Sequence, residues 1–142
     1  MTAPSQSHVS MSGVPLDPKL EMNKQTVLAF YEAGLNDKDF DAASRLIGER
    51  YVQHNPLIAD GLEGFKGFVT YIKETFPELR ANVQRVFAEG DFVIAHVHGV
   101  RVPGQAGTAI VDIFKLEDGK IVEHWDVMQP VPDSAENQNG MF

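Results

Sequence analysis

Apolar residues recur at helical spacing through the first half of the chain, and each such stretch has recognisable ends. Asp39 is a candidate N-cap for the second stretch, which ends at Gly48. Asp60 stands three residues before Glu63, close to a capping box, and Pro77 stops the third stretch. These patterns predict helices over 22–35, 38–48 and 60–76.

The second half alternates apolar and polar positions, as strands with one buried face do. The turn signals are Glu89-Gly90-Asp91 and Asp118-Gly119. Helices followed by an antiparallel sheet predict an α+β fold in which the helices cover one face of a curved sheet. The predicted strands are 81–90, 91–102, 108–117 and 120–129.

The register across Asp118-Gly119 decides which side chains share a face. A two-residue loop would place Asp112 opposite Trp125. A type I turn with Gly119 in a bulge would place Asp112 opposite His124, with Asp126 diagonally beyond. We expect the bulged register, because Gly119 takes a positive φ easily. One face then carries Ile110, Asp112, Phe114, Val122, His124, Asp126 and Met128.

That face is mostly apolar with a few acids and an imidazole, a combination typical of a small-molecule pocket. A structural interpretation stays open, because lone strand aspartates are ordinarily solvated and lone histidines ordinarily satisfied. His96 and His98 share a strand face and raise the possibility of a metal. The helical first half does not fit the all-β barrel in which a cupin uses that pair, so we expect no metal.

The composition fits one domain of 142 residues without cysteine, so disulfides and thiolate chemistry are excluded. We expect a domain over 21–132, a flexible arm over 1–20 and a flexible tail over 133–142. The chain has 12 basic and 20 acidic residues, a net charge of −8 and no basic run. Neither nucleic acid nor a membrane is therefore an expected partner. No signal peptide is recognisable, and we expect a cytoplasmic protein.

Three segments resemble the SnoaL-like polyketide cyclase family, which has the nuclear transport factor 2-like fold. They are "FYEAGLNDKDFDAASRLIGERYVQHNP", "DGLEGF" and "VDIFKLEDGKIVEHWDVMQ", and the resemblance spans about 22–130. It implies a cone of three helices over a bent antiparallel sheet, with a deep apolar pocket and a homodimer through the outer sheet face. The characterised cyclases perform an intramolecular aldol condensation without cofactor or metal. Their acid/base is an aspartate at the position of Asp126, and a histidine stands where this chain has Asp112.

We therefore expect a cofactor-independent acid/base enzyme acting on a small hydrophobic carbonyl compound by aldol-type cyclisation, isomerisation or dehydration. Asp126 would transfer the proton, with Asp112 and His124 as orienters or the complementary acid. His54 and Asn55 would bind the substrate oxygen. The expected lining residues are His98, Phe114 and Met128. Two alternatives stay open: a non-catalytic binder of a small hydrophobic molecule, and hydration chemistry of the epoxide hydrolase type using Arg101.

Overall fold

The computed structural model describes residues 17–142, so most of the predicted arm over 1–20 lies outside the described residues. The helices are α1 (Pro18–Phe30), α2 (Phe40–Ser44) and α3 (Gly61–Thr75), and α1 continues into a π-helical turn over Tyr31–Asn36. The strands are β1 (Ile47–Gln53), β2 (Arg80–Glu89), β3 (Phe92–Val100), β4 (Thr108–Glu117) and β5 (Lys120–Pro130).

The two predicted N-caps differ in the structure. Asp39 caps α2 as predicted, because its side chain accepts from the backbone N–H of Ala42 at 3.0 Å. Asp60 makes no side-chain cap, and the predicted capping box is wrong. Its Oδ1 instead accepts from the backbone N–H of Gln53 at 2.8 Å. Asp60 therefore ties the start of α3 to the end of β1.

The five strands form one sheet in the order β1-β5-β4-β3-β2, and β1 is parallel to β5. The other pairs are antiparallel, as predicted. The helix predicted over 38–48 is wrong in its second half, because it ends at Ser44 and β1 begins at Ile47. Gly48 does not end a helix; a Cβ there would lie 3.0 Å from the Val122 side chain. The glycine thus permits close packing of β1 on β5.

The turn between β4 and β5 has two residues rather than the predicted bulged form. Asp118 and Gly119 have φ values of 50° and 75°, and Glu117 pairs with Lys120. Positive φ at both central positions is the requirement of a type I′ turn. The expectation of a bulge at Gly119 is therefore wrong.

A bulge occurs instead a few residues further along β5. Leu116 pairs with Ile121 and Lys115 pairs with Glu123, so Val122 has no partner in β4. The extra residue shifts the later register, and Asp112 lies opposite Asp126 rather than His124. The side chains predicted to share one face of β4 and β5 nevertheless do so over most of its length. The predicted and observed registers differ by two residues, and an even difference leaves each side chain on its face. At the bulge, Ile121 rather than Val122 joins the main hydrophobic core.

The core lies between the helices and the inner sheet face, which gives the α+β cone predicted for this chain. Phe30 of α1 stacks on Phe65 of α3 at 5.1 Å, and Phe114 of β4 meets the Phe30 ring edge-on at 5.7 Å. Aromatic pairs in these geometries add to the stabilisation from burial. Within residues 17–142, no helix combines the length and apolar character needed to cross a bilayer.

The outer sheet face is rich in exposed apolar residues. It includes Phe87, Ile94, Val111 and Val127. This is the face through which the resemblance predicts pairing of two copies, and that pairing stays a prediction.

Two glycines of α3 offer a test of how closely this helix packs. A Cβ on Gly64 would lie 1.7 Å from the carbonyl oxygen of Ala59, whereas a Cβ on Gly67 would meet nothing within 4 Å. Gly64→Ala should lower the free energy of unfolding by about 1–3 kcal/mol through overpacking. Gly67→Ala should raise it by about 0.5–1 kcal/mol, because alanine loses less backbone entropy in a helix. Urea unfolding of both variants measures these free energies. Equal changes for the two variants would contradict the close contact between Gly64 and Ala59.

Candidate active site

A cavity of about 370 Å³ opens between the helices and the inner sheet face. Its volume is at the small end of ligand pockets. The walls are mainly apolar, and most of the polar residues lie where β4, β5 and the end of β1 meet. The apolar lining includes Leu35, Ile58, Phe65, Phe68, Ile72, Ile110, Phe114 and Met128. The polar lining of this end includes Tyr31, Tyr51, Gln53, Asn55, Asp112, His124 and Asp126.

Asp112 is buried, and both of its carboxylate oxygens are engaged. The Tyr31 hydroxyl donates to Oδ2 at 2.5 Å, and Nε2 of His124 lies 2.8 Å from Oδ1. Tyr31 reaches this position from the start of the π-helical turn, a helix distortion frequent at functional sites. Asp112 is therefore held on two sides rather than solvated at a sheet edge.

The ring orientation of His124 can be assigned from its neighbours. Oε1 of Gln53 accepts from the backbone N–H of Asn55 at 3.0 Å, so this side-chain atom is the amide oxygen. The same oxygen lies 2.8 Å from Nδ1 of His124. Nδ1 must therefore carry a hydrogen and donate it. The exchangeable proton of the Asp112–His124 pair consequently lies between Nε2 of His124 and Oδ1 of Asp112.

Asp126 is oriented by a second side-chain amide. Nδ2 of Asn55 donates to Oδ1 and Oδ2 of Asp126 at 3.0 and 2.8 Å. Oδ1 of Asn55 accepts from the backbone N–H of Leu57 at 2.8 Å, which fixes the amide orientation. Oδ2 of Asp126 lies 3.8 Å from Nε2 of His124. Asp126 therefore adjoins the Asp112–His124 pair and lines the cavity.

The two buried tyrosines remain protonated. Burial, reinforced by the charge of Asp112, raises the pKa of Tyr31 well above its ordinary value. The same two causes raise the pKa of Tyr51. The Tyr51 oxygen accepts from Nε2 of Gln53 at 3.4 Å, and no acceptor among residues 17–142 takes its hydroxyl hydrogen. Tyr51 therefore offers an O–H donor to a molecule in the cavity.

Neither tyrosine is predicted as a site residue from the sequence. Tyr31 falls within the predicted helix over 22–35, and Tyr51 falls between the second and third predicted helices. One usable signal was the phenol itself, because a buried tyrosine hydroxyl ordinarily needs a hydrogen-bond partner.

Two predicted site histidines do not line the cavity. His54 alternates with the inward-facing Gln53 and Asn55, so it faces outward, where its ring stacks on Trp125 at 4.7 Å. Its Nε2 lies 2.7 Å from Oε2 of Glu123. The geometry therefore does not support the expected contact of His54 with a substrate oxygen.

His98 also lies outside the cavity, because Val97 and Ala95 occupy the inner face of β3. Its ring stacks on Phe142 at 4.2 Å, and its Nε2 lies 2.8 Å from the carbonyl oxygen of Ala106. The expected lining role of His98 is therefore wrong. The predicted residues that the structure does bring to the cavity are Asn55, Asp112, Phe114, His124, Asp126 and Met128.

Arg101 lies at the other end of the cavity, with its guanidinium over the Phe76 ring at 5.1 Å. It does not stand between Asp112 and Asp126, so the arginine-bridged arrangement considered for epoxide hydration does not form.

One group of residues could hold a metal ion within the described part of the chain. Ligand atoms of Asp112, His124 and Asp126 lie within 4.8 Å of one another. Both acids are held by hydrogen bonds from neighbouring side chains, as the ligands of metal sites commonly are. A cation there would have to displace the proton shared by Asp112 and His124.

Residues 25–134 match the model of the SnoaL-like polyketide cyclase family. The match covers most of the chain, which therefore belongs to this family, as its sequence resemblance predicts. No relative among curated proteins matches the chain.

Solved structures show the same fold. TsrD from Streptomyces laurentii is 24% identical, with a TM-score of 0.66 over 80% of this chain and 90% of that one. IdmH, a candidate polyketide cyclase from Streptomyces antibioticus, is 24% identical, with a TM-score of 0.63 over 75% and 91%. A candidate ketosteroid isomerase from Kribbella flavida is 17% identical, with a TM-score of 0.66 over 86% of each chain.

Removing the Tyr31 hydroxyl should destabilise the protein. Tyr31→Phe leaves Oδ2 of Asp112 buried without its donor, so the free energy of unfolding should fall by about 1–3 kcal/mol. Tyr71→Phe is the matched control, because Tyr71 is half exposed. Chemical denaturation of the two variants gives the comparison. An unchanged midpoint for Tyr31→Phe would show that this hydrogen bond does not stabilise the fold.

An alkaline titration should distinguish the buried tyrosines. The chain has three tyrosines, and the folded state raises the pKa of Tyr31 and Tyr51. Above the unfolded value of about 10, the folded protein binds more protons than the unfolded chain, so stability should fall as pH rises. Absorbance at the phenolate band, followed with circular dichroism, should show two tyrosines ionising only with unfolding. Ionisation of all three in the folded protein would contradict this.

Proposed function

We propose that this protein is a cofactor-independent acid/base enzyme that removes a proton from the carbon beside the carbonyl of a small hydrophobic compound. The observation that carries this proposal is the position of Asp126. Its carboxylate lines an apolar cavity and is oriented by Asn55, and its side chain is only 9% exposed. A base that is shielded from bulk water and fixed in direction is suited to taking a proton from carbon.

The neighbouring groups supply the other parts of such a reaction. The Tyr51 hydroxyl would donate to the carbonyl oxygen and stabilise the negative charge that develops there. Asp126 would accept the proton, while the C–H electron pair enters the enolate. The enolate carbon could then attack a second carbonyl of the same molecule in an aldol closure. Reprotonation at another carbon would instead give isomerisation.

Asp112 and His124 would act as the second proton reservoir. The proton between them lies on the side of the imidazole nearest Asp126, with 3.8 Å between Nε2 of His124 and Oδ2 of Asp126. Transfer of this proton to the aldol oxygen would complete a closure, and Asp126 would then pass the proton taken from carbon to the Asp112–His124 pair, which restores the starting state. Asn55 positions Asp126 and has no proton-transfer role of its own.

A non-catalytic ligand-binding function is the second candidate. One observation favours it: each oxygen of Asp112 and Asp126 already takes part in a hydrogen bond within the protein. A group of polar side chains that are already hydrogen-bonded to one another can recognise a ligand without transforming it.

A proton-exchange experiment tests the proposed chemistry without knowledge of the natural substrate. We expect the protein to accelerate the exchange of α-hydrogens of 2-tetralone in D₂O, followed by proton NMR. Asp126→Asn should reduce the catalysed rate at least about 100-fold, because the base is lost while the shape remains. Asp118→Asn is the matched control, since it makes the same substitution in an exposed turn where asparagine tolerates a positive φ.

The outcomes separate the two candidate functions. Exchange that Asp126→Asn leaves unchanged would remove Asp126 from the mechanism. Binding of 2-tetralone, measured by calorimetry, without acceleration of exchange would support the binding function instead.

A further inference from the structure

The end of the cavity away from the acids carries two arginines. Arg80 begins β2 and pairs with Val100, the last residue of β3. Arg101 comes directly after Val100 in the chain. Both line the same cavity as Asp112 and Asp126. The cavity is therefore polar at two ends of opposite charge, with apolar walls between them.

The strand register gives the separation of these two ends. Ala95 pairs with Asp112, and Val100 lies five residues further along β3. A rise of about 3.3 Å per residue places the two rungs about 17 Å apart. The flexible arginine side chains cover part of this distance, which leaves room for a compact molecule of two or three fused rings.

The two guanidinium groups are not neutralised within the protein. Among residues 17–142, no carboxylate lies within salt-bridge distance of Arg80 or Arg101, in a chain with 20 acidic and 12 basic residues. Arg101 packs one face of its guanidinium on the Phe76 ring, which leaves its N–H edges available. Such edges match the two oxygens of a carboxylate.

A third cation, Lys38, lies near Arg80. Burial is the main cause that lowers the pKa of Lys38, and the nearby charge of Arg80 adds to it, while Asp37 partly offsets both. The Lys38 ammonium donates to the carbonyl oxygens of Asn36 and Leu79. Arg80 and Lys38 therefore both carry positive charge here, and Asp37 offsets it only in part.

We propose that the compound bound in this cavity carries a carboxylate, which Arg80 and Arg101 hold at the end opposite to the acids. The charges then fix its direction. The carboxylate faces the arginines, and the carbonyl to be enolised faces Tyr51 and Asp126. The reverse orientation would place the carboxylate against Asp112 and Asp126, where like charges repel it. This inference deepens the proposed function by naming the substrate class, an apolar keto acid, and its recognition can be measured without turnover.

A pair of probes isolates the contribution of charge. 6-Acetyl-2-naphthoate and 6-acetyl-2-naphthamide share the ketone and the rings, and they differ only in carboxylate against carboxamide. Isothermal titration calorimetry should show at least about tenfold tighter binding of the naphthoate at low salt. The preference should shrink between about 50 mM and about 500 mM salt, because the arginines are exposed and screened.

Arginine variants assign that preference to this end of the cavity. Arg101→Gln and Arg80→Gln should each reduce the ratio of the two affinities, and the double variant should abolish it. Arg101→Lys keeps the charge and should retain part of the preference. Arg85→Gln is the matched control, because Arg85 lies outside the cavity and contacts His96. The ratio of the two probe affinities in Arg85→Gln should equal that of the unchanged protein.

Three results would overturn the inference: equal affinity for the two probes, absence of naphthoate binding, or a preference that survives in the double variant. The last result would mean that the arginines are simply solvated surface residues. Deuterium exchange into the acetyl group of the same probes is measured separately. A carboxylate preference without exchange would reject the proposed chemistry and leave the recognition of an anion intact.

Discussion

The site depends on a single extra residue in β5. The turn at Asp118 and Gly119 pairs Glu117 with Lys120, and continued in regular register this pairing would place Asp112 opposite Trp125. Asp112 would then lie on the opposite face from His124 and Asp126, because each shift by one residue exchanges the two faces of a strand. The bulge at Val122 restores the parity. It brings two carboxylates and an imidazole to the inner face and keeps the indole outside.

The connector between β1 and α3 then fixes the direction of these groups. The backbone N–H groups of Asn55 and Leu57 each bind a side-chain amide oxygen, and these bonds orient Gln53 and Asn55. The two amides in turn orient His124 and Asp126. Two backbone donors thus fix the amides that orient His124 and Asp126, and backbone positions vary less than those of long side chains. Asp60 holds the same connector to α3, so the position of the helix and the geometry of the site are coupled.

Local sequence patterns account for the helices, four of the strands and the inner face of β4 and β5. They did not reveal β1, because it pairs with β5, more than 60 residues away in sequence, and Gly48 resembles a helix end. They also misplaced the bulge, since Asp-Gly fits both turn types and only packing selects between them. His54 and His98 were misplaced for a related reason: alternation assigns residues to two faces but does not say which face is covered.

The aspartate at position 112 changes the chemistry expected of this family, in which the resemblance places a histidine at that position. An imidazole is not lost from the site, because His124 supplies one from the adjacent strand and bonds to Asp112 directly. The exchange adds a second carboxylate, and Tyr31 makes its burial tolerable by donating to the oxygen that His124 does not reach. Asp112 is therefore held by two different side chains, one on each oxygen, whereas both oxygens of Asp126 accept from the single amide group of Asn55. The chain thus lacks a histidine at position 112 but keeps an imidazole, and it places a second carboxylate, largely shielded from water, beside the proton shared by Asp112 and His124.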